Sequence, residues 1–193
     1  MKTFITKSVP RVSAAVLAVG FIATPALAHP GHDGGFAAGI IHPLTGLDHL
    51  AAMLAVGLWA ATRPAARAWQ APALFVAMLA AGALAGVAGG AFAPVDTLAA
   101  LSVTLLGLML IAAPLLPDAA GLGLIALFAT VHGYAHGMEA GGHLLGYFAG
   151  FMAASALLHA AGWRLGAGLL ATRWGRFASG LTLGAAGLAL AAL

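Results

Sequence analysis

"APALFVAMLAAGALAGVAGGAF", Ala71 to Phe92, runs for 22 residues without a charge. A helix of ~20 apolar residues crosses a hydrocarbon core of ~30 Å, so this stretch reads as a membrane span. Working outward, five more runs are mostly apolar, with no more than one charged residue each: Phe36 to Ala61, Val95 to Leu116, Ala119 to Met138, His143 to Gly162 and Trp174 to Leu193. "APVD" (Ala93 to Asp96) and "LPDA" (Leu116 to Ala119) separate neighbouring runs as tight turns, because Pro and Asp disfavour a continuing helix. The composition agrees: 62% of residues are hydrophobic and 7% charged, against about a quarter charged in soluble domains. The expected fold is an all-α integral membrane protein, a bundle of six transmembrane helices. No soluble domain fits between the runs.

The amino end has a different pattern. Lys2, Lys7 and Arg11 precede the short apolar run "VSAAVLAVGFI", Pro25 breaks it, and Ala26-Leu27-Ala28 fits the small-x-small cleavage rule. Residues 1–28 are expected to be a cleaved signal peptide, and 29–193 the six-helix membrane domain. The mature chain then starts with "HPGHDGG" outside the cytoplasm. Arg63 and Arg67 fall between the first two runs, and Arg164, Arg173 and Arg176 between the last two. Positive loops stay inside, which gives the same topology: a multi-pass protein of a bacterial inner membrane with a periplasmic amino terminus. Without the signal, five basic residues face five acidic ones, so the basic pI implies no nucleic-acid partner.

Gly recurs at four-residue spacing at Gly82, Gly86 and Gly90, at Gly146 and Gly150, and at Gly180 and Gly184. Small residues so spaced let helix backbones approach closely in lipid. The chain has no cysteine. Disulfides and thiolate metal sites are excluded, and histidine and carboxylate are left as metal ligands.

Those residues are clustered. "VHGYAHGMEAGGH", Val131 to His143, contains three of the eight histidines and the one glutamate. At about 100° per residue, His132, His136 and Glu139 share a helix face about 60° wide. Gly141 and Gly142 end that helix, so His143 could turn back toward the same point. A second group lies in "HPLTGLDH", His42 to His49. Pro43 suits the first position of a helix, with His42 just outside it and Asp48 and His49 about 9 Å further in. Met53, one turn on, is a soft sulfur ligand or a core residue. His29, His32 and Asp33 at the mature amino terminus either collect metal or form a tail. His159, a lone histidine near the cytoplasmic end of its span, reads as a histidine hydrogen-bonded to a neighbouring helix. Ionisable groups at membrane depth are costly and point to function. The clusters therefore read as one divalent-metal site.

Together, "HPLTGLDHLAAMLAVG" (His42 to Gly57) and "HGYAHGMEA" (His132 to Ala140) resemble the HupE/UreJ family of nickel permeases; "AHPGH" (Ala28 to His32) is similar to family members as well. The resemblance extends over nearly the whole mature chain. It implies uptake of nickel, and in some members cobalt, for enzymes such as hydrogenase or urease. It also implies metal ligation by His42, Asp48, His49, His132, His136 and Glu139. The expected substrate is Ni²⁺, with no prosthetic group. A homo-oligomer and a periplasmic or energising partner are open. No P-loop is present, so direct ATP hydrolysis is not expected. Two rivals stand beside the permease: a membrane metal-binding accessory or sensor protein, and an intramembrane zinc hydrolase. The hydrolase lacks a His-Glu-x-x-His motif.

Overall fold

A computed structural model describes residues 35–139 and 143–193, with the Glu139 side chain outside the described part. The signal segment, His29, His32 and Asp33 lie outside the described residues. Seven helices are described: α1 (Phe36–Thr45), α2 (Leu47–Ala61), α3 (Gln70–Gly89), α4 (Val95–Ala112), α5 (Asp118–Glu139), α6 (Leu144–Leu169) and α7 (Arg173–Ala191). No β-strand occurs among the described residues. The described residues are helices and their connections, and Pro94 and Pro117 of the two predicted turns fall just before α4 and α5.

The expected span Phe36 to Ala61 is not one helix. It is broken at Gly46, and α1 and α2 meet at 84°. Pro43 lies inside α1 and does not start a helix, so His42 is in the last turn of α1. The break has local causes. Pro43 has no N–H to give the helix. Thr45 Oγ1 turns back to the carbonyls of Ile41 and His42, and the Gly46 N–H closes on His42 O at 3.0 Å. Gly46 then takes an extended conformation, and Asp48 sits in the first turn of α2, where the helix dipole favours a negative charge.

Four helices (α3, α4, α5 and α6) are long and apolar enough to cross a membrane, and a fifth crossing results if the bent α1–α2 pair counts as one span. The sixth expected span, α7, has 19 residues but is not among them; Arg173, Arg176 and its Gly, Ser and Thr residues dilute its apolar content. A second difference is α6, which continues to Leu169 instead of ending near Gly162, so Arg164 belongs to the helix and not to a loop.

The helices pair as α3 with α5, α4 with α7, and α6 with both α1 and α2. Glycine decides the closeness. A Cβ at Gly82 or Gly86 would strike the backbone carbonyl of Thr130 or Tyr134 on α5, and one at Gly133 or Gly137 would strike Leu79 or Ala83 on α3. Gly150 stands against Phe36 of α1 in the same way. Gly90 ends α3 at φ 72° and ψ −166°, a conformation accessible essentially to glycine alone. The core runs through the middle of the bundle and includes Met53, Val56, Phe75, Leu106, Ile125 and Phe151. Large apolar side chains such as Leu84, Leu115, Leu145, Leu157 and Leu181 face outward, as expected of surfaces that meet lipid.

Candidate metal centre

The kink at Gly46 has a direct consequence for the histidines. It places His42, from the end of α1, beside His49, from the first turns of α2, with ring centroids 5.6 Å apart. From α5, His132 and His136 come up one turn apart on one face. The His49 ring lies 4.2 Å from that of His136 and 5.0 Å from that of His132; His42 lies 4.7 Å from His136. Three helices thus bring four imidazoles and one carboxylate together. The groups His42/His49/His136 and Asp48/His49/His132 each have ligand atoms within 4.8 Å of one another, and His49 belongs to both. His132 and His136 are fully enclosed, His49 is buried and His42 is half-buried.

Hydrogen bonds orient two of the rings. His49 Nδ1 lies 2.6 Å from Asp48 Oδ1. A carboxylate only accepts, so Nδ1 carries the proton and Nε2 keeps its lone pair. Ser102 of α4 donates its hydroxyl proton to Ala99 O at 2.7 Å, and its oxygen lies 2.9 Å from His132 Nε2. With that proton committed, Ser102 accepts from His132 Nε2–H, and Nδ1 is the free nitrogen. Both predicted lone pairs, His49 Nε2 and His132 Nδ1, are buried and have no hydrogen-bond partner among the described residues. Leaving such a group unpaired costs about 1–3 kcal/mol. A divalent cation removes that cost, and ring orientation by a carboxylate or hydroxyl is the usual support for metal-binding histidine.

An aromatic wall closes the site. Phe151 of α6 lies 4.0 Å from the His136 ring and 6.4 Å from that of His49, and Tyr147 lies 5.9 Å from His42. Sequence reading passed over Tyr147 and Phe151, although they repeat with Ser155 and His159 at four-residue spacing. It also left Ser102 without its role of orienting His132.

His143 does not turn back to the cluster: it stands exposed just before α6 and belongs to neither ligand group. Met53 is wholly buried in the apolar core, which is the packing reading. His159 was expected to bond a neighbouring helix, yet neither ring nitrogen has a hydrogen-bond partner among the described residues; it packs edge-on against Phe75 at 4.9 Å. Glu139 ends α5, three residues beyond His136.

The profile of the family described as HupE / UreJ protein matches residues 16–192. The chain belongs to the HupE/UreJ family. One relative, named Protein HupE, from Rhizobium leguminosarum bv. viciae, is 38% identical over 160 residues, covering 80% of this chain and 82% of its own length. No solved structure matches this HupE/UreJ chain.

Proposed function

We propose that this HupE/UreJ protein carries divalent nickel or cobalt across the inner membrane into the cytoplasm, where it supplies nickel enzymes such as hydrogenase or urease. The family is associated with nickel and cobalt accessory proteins. The observation that carries the reading is the convergence of His42, Asp48, His49, His132 and His136, from three helices, inside a bundle of membrane-capable helices. Imidazole and carboxylate suit borderline divalent ions. Protein ligands replace part of the hydration shell that the ion must shed, and they hold it weakly enough to release it.

In this reading the broken α1–α2 pair counts as one span and α7 as the sixth. The signal peptide is cleaved, the mature amino terminus is periplasmic, and His29, His32, Asp33 and His143 offer metal an approach from that side. Glu139, three residues beyond His136 at the end of α5, adds negative charge at the entrance. The Arg63–Asp118 ion pair, 2.8 Å long, sits at the opposite, cytoplasmic end, consistent with the bias of positive loops.

Uptake of radioactive nickel, cobalt and zinc into proteoliposomes, without nucleotide, tests the proposal. Wild type should take up nickel, and His136→Ala should lose nearly all of that uptake. A correctly inserted His136→Ala protein that carries all three metals at wild-type rates would falsify the site. A wild-type protein that binds nickel without moving it would favour the accessory reading.

A further inference from the structure

The ligands of the metal centre come from two units, each locked internally by glycine. A Cβ at Gly57 of α2 would strike the His159 carbonyl of α6, and one at Gly162 of α6 would strike the Leu54 carbonyl of α2. Gly39 of α1 stands against the Tyr147 backbone of α6 in the same way. Helices α1, α2 and α6 therefore form one unit, which carries His42, Asp48 and His49. Helices α3 and α5, joined through Gly82, Gly86, Gly133 and Gly137, form the other, which carries His132 and His136. Across the seam between α2 and α5, Gly121 of α5 instead meets a side chain, the ring of Trp59.

The same seam is tied at its other end. Arg63 follows His49 by fourteen residues, and Asp118 precedes His132 by fourteen. Both therefore stand about 20 Å from the metal centre along their own helices. There Arg63 Nη1 donates to Asp118 Oδ1 at 2.8 Å, and Arg67 Nη1 donates to Asp118 Oδ2 at 3.3 Å. The Arg63 guanidinium covers the Trp59 ring at 4.1 Å. Between the two ends, Met53, Val56 and Trp59 of α2 and Ile125 and Ala129 of α5 belong to one apolar core. At the metal centre, by contrast, His42 and Asp48 are only partly buried.

We infer that the Arg63–Asp118 pair, lying over Trp59, is the cytoplasmic gate of a carrier, and that metal is released when the α1–α2–α6 unit moves against the α3–α5 unit and the pair parts. The inference rests on the transport reading. A cation leaving the centre inward meets packed apolar side chains and then two arginines, so the closed seam holds it back. Rigid-body rocking of one helix unit against another is a general route to alternating access. Movement along this seam leaves the glycine contacts intact, because they lie within each unit. What has to part is the ion pair and the contact of Trp59 with Gly121. The Asp118 side chain is 36% exposed, which makes the pair strong enough to bias the closed state and weak enough to open thermally. Its parting also frees a carboxylate to attract the departing cation.

The experiment uses the full-length protein, in which an introduced cysteine has no native competitor. Ile125, fully buried, lies between Gly121 and His132 along α5. Ile125→Cys is treated with an impermeant thiol reagent on the cytoplasmic side of inside-out vesicles. Labelling should be slow with the native pair and about fivefold faster when Asp118→Asn, which keeps the size but removes the charge, is added. The cobalt d–d bands of the metal centre report a correct fold in each variant. In a second arm, a protein with Arg63→Cys and Asp118→Cys is joined across the pair by a short bifunctional methanethiosulfonate, and mass spectrometry confirms the bridge. Nickel uptake into proteoliposomes should stop and return on reduction. An unchanged labelling rate with Asp118→Asn overturns the gate, as does a bridged protein that carries nickel as fast as its reduced form. Failure of the transport reading is distinct: wild-type vesicles then take up no metal, whatever the labelling rate.

Discussion

The contact between Asp48 and His49 is the smallest unit of the candidate site. The carboxylate fixes the His49 tautomer through a 2.6 Å hydrogen bond and stands in a ligand group with His49 and His132. Asp48→Asn keeps the size and can still accept a hydrogen bond, but it removes the charge. Cobalt affinity should fall about 10- to 100-fold, as for other groups that orient or supply metal ligands, with helical content unchanged. Titration of purified protein in detergent measures it, and equal affinities would remove Asp48 from the site. Binding to wild type should also weaken on acidification. A metal needs the imidazole lone pair, and protons compete for it.

At the scale of elements, close contact between α3 and α5 holds His132 and His136 in register. Gly82 meets α5 where a methyl group would press on the Thr130 backbone, and backbone cannot rotate away as a side chain can. Gly82→Ala should destabilise the protein by about 1–3 kcal/mol, the usual cost of overpacking. The effect is read as an earlier thermal transition in detergent. An unchanged transition would mean that α3 and α5 do not lie this close. The break between α1 and α2 belongs to the same scale. A straight helix from Phe36 to Ala61 would put His42 and His49 seven residues apart along one axis, about 10 Å. The 84° bend brings their rings together.

For the whole molecule, the decisive property is which end faces the cytoplasm. Arg63 bonds Asp118 at 2.8 Å, donates to the carbonyls of Leu116 and Ala113, and covers the Trp59 ring at 4.1 Å. It ties the end of α2 to the start of α5 at one end of the bundle. Single cysteines at Ala65 and Ala171, both exposed and in the connections nearest the arginines, should resist an impermeant thiol reagent in cells with a permeabilised outer membrane. A cysteine at Ala93, exposed between α3 and α4, should react. Labelling of Ala65→Cys from outside would invert the molecule and place the metal centre at the cytoplasmic face.

Local rules determined the helical, membrane-embedded character of the chain, because an apolar run without charge has few alternatives to a helix. The same locality made the His132/His136 face legible, since a four-residue spacing fixes direction on one helix. "HPLTG" was equally visible, but its Pro was read as the start of a helix when Thr45 and Gly46 end one there. Only the tertiary structure decided that α1 turns away from α2 at 84°, that Ser102 of α4 orients His132, that Phe151 of α6 walls the site, and that His143 belongs to neither ligand group. The contacts of α4 and α6 with the site join helices far from α1 and α2 in the chain. A helix that is apolar on all sides has no polar stripe to announce which face meets protein and which meets lipid, and lipid is as apolar as the partner it competes with. Which faces meet is settled by the fit of glycine notches such as Gly82 and Gly133 against backbone, a geometric match that spacing along a single helix does not contain.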